Sequence, residues 1–142
     1  VMREPAEHAR EPIQPVARWR CPMRPDPYDL IRAERERQDA RWGVQDHPDL
    51  DPVLTERQGG ATPERHAQHL EIPTAGFAKT LCAMAAEFGH TNWSVILVEE
   101  LAEVVDAAAR RDTAGLRDEL VQVAAVAVAW LEAIDRREVS GA

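Results

Sequence analysis

From Trp93 onwards the apolar and polar positions follow a helical period. WSVILVEELAEVVDAAAR places Leu97, Val98, Leu101, Val104, Val105 and Ala108 on one face and Glu99, Glu100, Glu103 and Asp106 roughly opposite. A helix to about Arg110 follows, with Thr91 or Asn92 as its cap. Arg111-Asp112-Thr113 is a tight connection, and a last helix, capped by Thr113 or a neighbour, runs to about Arg137. Leu120, Val121, Val123, Ala124, Ala125, Val126, Val128 and Trp130 leave it no evident polar side, a composition normally buried. The short link predicts an antiparallel hairpin. Upstream, TAGFAKTLCAMAAEF sets Phe77, Leu81, Met84, Ala85 and Phe88 on one helical face, stopped by Gly89. YDLIRAERERQDARW predicts a charged, mostly exposed helix from Tyr28 to Trp42, capped by Asp26 and ended by Gly43. GVQDHPDLDPV reads as loop, and the Gly-rich stretch from Leu54 to Pro73 has room for a short helix near Pro63 to Leu70. No stretch alternates as a strand would, so an all-α domain with four main helices is expected.

The first 27 residues carry Pro5, Pro12, Pro15, Pro22, Pro25 and Pro27 without a periodic apolar face, and are expected to form a poorly structured arm ahead of a domain over 28–142. A chain of 142 residues supports one core. Its net charge of −8 argues against nucleic acid and anionic membrane surfaces as partners, because both require clustered basic charge. Lys79 is the only lysine; arginine supplies the rest of the basic charge. Cys21 and Cys82 stand far apart, in no metal-binding spacing. With no apolar run long enough to cross a membrane and no apolar leader, a cytoplasmic location is expected.

The charge becomes informative where the two last helices meet. Glu99, Glu100 and Glu103 fall within one helical sector, a pattern that solvated outer faces also show. Glu119 and Gln122 are harder to explain that way, since they lie on the helix without a polar side. A buried carboxylate needs a cationic partner. Carboxylates facing one another between helices are a common way for a bundle to hold a hard cation. Mg²⁺ bound so keeps open positions for substrate phosphates, which suggests a nucleotide or another polyphosphate.

These residues resemble the MazG-like all-α nucleoside triphosphate pyrophosphohydrolases, whose signature is Glu-Glu-x-x-Glu followed, after a spacer, by Glu-x-x-Asp on two antiparallel helices. The first half stands complete as Glu99-Glu100-Leu101-Ala102-Glu103, and the second matches as Glu119-Leu120-Val121-Gln122, with glutamine in place of aspartate. DARWGVQDHP is also similar to a Trp…His-Pro stretch that precedes the motif in members acting on deoxycytidine nucleotides. The resemblance covers roughly Glu34 to Arg137. It implies a four-helix, oligomeric bundle, a homodimer or homotetramer, that uses Mg²⁺, or Mn²⁺ in its place, to convert a (d)NTP and water into the monophosphate and pyrophosphate for nucleotide pool cleaning. It assigns Glu100, Glu103, Glu119 and Gln122 to the metal, Glu99 and Glu100 to catalysis, and Trp42, His47 and Trp93 to the substrate base. Gln122 removes one negative charge from the centre, so a non-catalytic module binding nucleotide or protein is the competing expectation.

Other candidates have simpler readings. Glu132-Ala133-Ile134-Asp135 also spells Glu-x-x-Asp, but it begins thirteen residues beyond Glu119, about 20 Å along a helix, and reads as an exposed helix end. His66 and His69 read as a solvent-exposed pair, because no further zinc ligand stands near them in sequence. Arg110 and Arg111 suit the dipole at the end of the acidic helix.

Overall fold

The computed structural model describes residues 24–56, 60 and 62–141, so most of the expected arm lies outside the described residues. Six helices and no strand occur among those described: α1 (Pro27–Trp42), α2 (Pro52–Thr55), α3 (Pro63–His69), α4 (Ala75–Glu87), α5 (Trp93–Ala109) and α6 (Thr113–Ser140). The fold is all-α. The four longer helices stand where periodicity places them, whereas α2 is a single turn inside the stretch expected to be loop. Asp51 caps α2 by accepting from the Val53 N–H at 2.9 Å, and Pro52 supplies a first-turn residue that needs no N–H partner.

Local chemistry fixes where the helices begin. Asp26 accepts from the Tyr28 N–H at 2.8 Å, Thr74 from Phe77 at 3.3 Å, Asn92 from Val95 at 3.0 Å and Asp112 from Gly115 at 2.9 Å. Each satisfies an N–H that the helix cannot pair internally. Gly115 leaves room for its cap: a Cβ there would stand 2.3 Å from the Asp112 Oδ2 and push the capping carboxylate aside.

The turn between α5 and α6 is specified as tightly. Arg111 takes a left-handed φ of 59°, while its N–H reaches the Ala108 carbonyl and the Asp112 N–H the Ala107 carbonyl, each at 3.0 Å. This pair of bonds closes the end of α5 and lets α6 begin at once. Glu119 is thereby brought back beside the helix it follows.

Helix α5 is the axis of the fold, packed by α6, α4 and α3, with α1 resting on α6. The core beneath is made largely of small side chains: Ala67, Ala78, Ala102, Val105, Ala107 and Val128, with Leu54 at its margin. Small residues let the helix backbones approach closely, and this displaces the buried faces from those expected. On α4 the buried residue is Ala78, whereas Phe77, Met84 and Phe88 are exposed. On α5, Ala102 and Ala107 are buried and Leu101 is exposed. On α6 only Val128 is buried, and Leu120, Val121 and Leu131 face outward. The all-round apolar composition of α6 therefore does not mean that this chain buries it on all sides. Periodicity locates an apolar face without saying what covers it.

His66 departs most clearly from expectation. Instead of standing in solvent with His69, it is 2% exposed against the small residues of α5, while His69 remains outside and pairs with Asp51 at 3.2 Å. It lines a cavity of about 290 Å³ together with Pro48, Leu50, Thr55, Ala108 and Arg111. The reason is packing: α3 is short and rests on α5, and its buried residues are His66 and Ala67, which leaves His69, three positions on, outside.

Candidate metal centre

Glu100 and Glu103 are one turn apart on α5 and project from the same side of it. Across the α5–α6 contact stands Glu119. One carboxylate oxygen from each of the three lies within 4.8 Å of the others, and all three residues are half-buried. Three like charges at that separation repel one another, and partial removal from water compounds the effect. Accordingly, burial and then the neighbouring Glu103, Glu119 and Glu99 carboxylates raise Glu100 above its ordinary value. Burial, followed by Glu103, does the same to Glu119.

Among the described residues, a lysine pairs with one of them. Lys79, on α4, places its Nζ 2.5 Å from a Glu103 oxygen. Its ammonium is held above the ordinary lysine range by the bond and charge of Glu103, with smaller contributions from Glu99 and Glu119. One positive charge among three carboxylates leaves the centre short of two. Asp106, expected on the same acidic face, has left the group: Arg110 clamps it with bonds of 2.6 and 3.2 Å.

Glu99 has a different environment from its neighbour. The neighbouring Glu99 carboxylate, and then burial, push the Cys82 thiol of α4 up to about 11. Cys82 is thus protonated and unreactive at neutral pH. Glu99 stands beside the three-carboxylate group but is not one of it. Gln122 is exposed one turn beyond Glu119 on α6, a position from which its amide can join the same side of the helix.

The aromatic candidates divide. Trp93 sits at the start of α5, seven residues before Glu100, which at the helical rise puts it about 10 Å away on the same side. There it stacks on Trp130 of α6, with ring centroids 6.4 Å apart and planes inclined by 13°. The pair borders the carboxylate face at one end. Trp42 ends α1, is exposed, and carries the Arg41 guanidinium 5.0 Å from its ring centroid. His47 is exposed in the following loop. The structure brings Glu100, Glu103 and Glu119 together and leaves Trp42 and His47 on separate exposed segments.

No protein-family model, curated protein or solved structure matches the chain.

The donor set fits a hard divalent cation. All three groups are carboxylates, with no cysteine or histidine among them, and oxygen donors select Mg²⁺, Mn²⁺ or Ca²⁺ over zinc. In an octahedron with bonds of about 2.1 Å, adjacent oxygens are about 3.0 Å apart and opposite ones about 4.2 Å, so the cluster, within 4.8 Å, would draw inward by rotamer movement on binding such an ion. Three protein oxygens leave further positions for water or a phosphate oxygen.

Lys79 and Cys82 are the residues of this centre that sequence reasoning missed. A signal for the first was present: the only lysine of the chain interrupts an otherwise apolar helix, one turn before a cysteine.

Proposed function

We propose that the chain is a divalent-metal-dependent nucleoside triphosphate pyrophosphohydrolase with a MazG-like four-helix bundle, and that α5 and α6 are its antiparallel acidic hairpin. The observation that carries this reading is the meeting of Glu100, Glu103 and Glu119 from two helices, at the positions that the family motif would give to metal ligands. No other cluster of three potential metal-binding side chains occurs among the described residues.

In this reading Glu100, Glu103 and Glu119 hold Mg²⁺, or Mn²⁺ in its place, with the Gln122 amide oxygen as a fourth, neutral ligand. The bound cation supplies electrophilic polarisation of phosphate and water oxygens. Glu99, beside the three-carboxylate group, orients the attacking water, taking its proton as the water oxygen bonds to the α-phosphorus. The bridging bond to the β-phosphate breaks and pyrophosphate leaves with the electron pair. A (d)NTP and water give a (d)NMP and pyrophosphate, so atoms balance. Trp93 offers an aromatic surface for the base near the centre, while Trp42 and His47 belong to the substrate contacts only if their exposed segments close over it.

The exposed apolar side chains of α4 and α6, Phe77, Met84, Phe88, Leu120 and Val121, support assembly with further copies of the chain as a homodimer or homotetramer. No described helix is long and apolar enough to cross a membrane, which is consistent with the cytoplasmic location proposed here.

Gln122 keeps a second reading in place, a non-catalytic helical module that binds nucleotide or protein. Pyrophosphate release from a panel of NTPs and dNTPs, with and without Mg²⁺, separates the two when wild type is compared with Glu100→Gln and Gln122→Asp. Metal-dependent release that disappears in Glu100→Gln is expected. Activity from no nucleotide in the wild type, yet from some in Gln122→Asp, would instead establish a scaffold without the chemistry.

A further inference from the structure

The ammonium of Lys79 reaches the carboxylate centre from a third helix. It is the only lysine in a chain whose other permanently charged basic side chains are arginines, and it pairs with the carboxylate of Glu103, whose side chain is 19% exposed. A permanent ion pair with a half-buried carboxylate favours arginine, which locks on with a planar fork of donors. Asp106 in the same helix has such a partner in Arg110. Lysine instead presents a compact charge on a flexible stem, and 62% of this side chain is exposed, so the stem is free to swing into solvent. The contact is therefore of a kind that can be made and released.

Counting charge points the same way. Glu100, Glu103 and Glu119 carry three negative charges within 4.8 Å, and Lys79 offsets one. A divalent cation placed among the same oxygens would offset two while repelling the ammonium a few ångströms away. Both cations compete for the Glu103 oxygen.

We propose that Lys79 is a tethered counter-cation of the carboxylate centre: it occupies the Glu103 carboxylate in the metal-free chain, and a divalent cation enters by displacing it. This rests on reading the centre as a divalent-metal site. Lys79 is then a positioning residue that keeps the three carboxylates together before the metal arrives and sets the metal concentration at which the centre fills. A metal-free centre with no counter-charge would splay its carboxylates apart.

The test uses Mn²⁺ as probe, its free fraction read by electron paramagnetic resonance, on the full chain as wild type, Lys79→Met, Lys79→Arg and Glu100→Gln. Thermal melting in chelator and in Mn²⁺ is recorded beside it. Removing the competing charge is expected to tighten Mn²⁺ binding about tenfold in Lys79→Met, whereas Lys79→Arg, which keeps the charge, binds no tighter than wild type. In chelator Lys79→Met melts below wild type, and saturating Mn²⁺ raises its midpoint by more than it raises that of wild type. Wild type, Lys79→Met and Lys79→Arg binding Mn²⁺ equally, with Glu100→Gln binding worse, would overturn the role of Lys79 and leave the metal centre standing. No Mn²⁺ bound by any of the four would overturn both. Should Lys79→Met melt too low to titrate, Lys79→Gln replaces it, a polar side chain at an exposed position.

Discussion

Helices α1 and α5 are both rich in acids, and they dispose of them in opposite ways. On α1 three of the four acids pair along the helix itself: Arg32 bonds Asp29 at 3.0 Å, Arg35 bonds Asp39 at 2.7 Å, and Arg37 pairs with Glu34. These side chains are well exposed, the helix buries none of its residues, and its charges need nothing from the rest of the molecule. On α5 only Asp106 has an arginine on its own helix. Glu100 and Glu103 face Glu119 from α6, and the one ammonium that reaches them comes from α4. Acid content alone does not mark a site. What marks it is carboxylates drawn together by packing without the arginines that would quiet them locally. The end of α6 behaves like α1: Asp135 bonds Arg24 at 2.7 Å, and Glu132 lies 3.9 Å from Arg136. Its Glu-x-x-Asp spelling belongs to an exposed, arginine-paired surface.

Neutralising one carboxylate in each region gives the largest contrast. Glu100→Gln is expected to lower metal-dependent pyrophosphate release about 100-fold or more, because even residues outside the metal's immediate ligands cost up to that factor. Asp39→Asn, which breaks the α1 pair with Arg35, should leave release within about twofold of wild type, since exposed pairs contribute little. Equal losses in the two variants would mean that the α5 cluster is no more special than the α1 surface. Glu100→Gln should also leave the metal-free fold intact or slightly more stable, because it removes one of three repelling charges.

Restoring charge sharpens the same contrast from the other side. Gln122→Asp adds a fourth carboxylate one turn from Glu119, and Mn²⁺ affinity measured by titration should rise roughly tenfold, as ligand charge count tunes such sites. An unchanged affinity would place Gln122 outside the centre. The same substitution should lower metal-free stability, since the added charge joins an already repulsive group.

Acidity acts on this cluster in a direction opposite to an ordinary surface ion pair. Glu100 and Glu119 bind protons more readily in the folded chain than at the ordinary value of 4.5. A raised carboxylate favours the folded state below that value and loses its contribution as the pH rises through the folded one. At neutral pH in chelator both residues therefore work against the fold. Lowering the pH from neutral toward 4.5 should recover stability from them, an effect partly screened by their exposure. Over the same window Mn²⁺ must compete with protons, so its affinity should fall. Denaturant titrations across that range in chelator, for wild type and Glu100→Gln, isolate the effect: the wild type gains relative to the variant as the pH drops. A constant difference would show that the carboxylates do not repel as their spacing implies.

Much of this was legible in the sequence, and for identifiable reasons. Helix positions followed from period and punctuation: Asp26 and Asn92 cap where short polar side chains precede the helical runs, and Gly43 and Gly89 stop what goes before them. The meeting of Glu100, Glu103 and Glu119 followed from a link too short to let α6 leave α5. What the sequence could not convey was partnership between distant elements. That Ala78 rather than Phe77 faces α5 depends on how closely two backbones approach, and that His66 turns inward depends on which side of a seven-residue helix meets its neighbour. Lys79 and Cys82 join the centre by the same packing, from a helix whose apolar stripe pointed elsewhere.

The smallest expected effect concerns the surface that the comparison treats as quiet. Arg37→Ala removes the partner of Glu34, a pair with the arginine side chain 75% exposed and one turn along a single helix. Such pairs contribute about 0.3–0.5 kcal/mol, because water already solvates both charges and fixing two long side chains costs entropy. Chemical denaturation should register a loss no greater than about 0.5 kcal/mol, shrinking as salt is added. Arg24→Ala tests the corresponding surface of α6, where one guanidinium serves both Asp135 and Glu138 and ties the residues before α1 to the end of that helix. Its loss should be somewhat larger, since two contacts distant in sequence go together, yet pyrophosphate release should not change. A fall in release from Arg24→Ala would bring the second Glu-x-x-Asp into the chemistry and undo the distinction between arginine-paired acids and those gathered around Glu103.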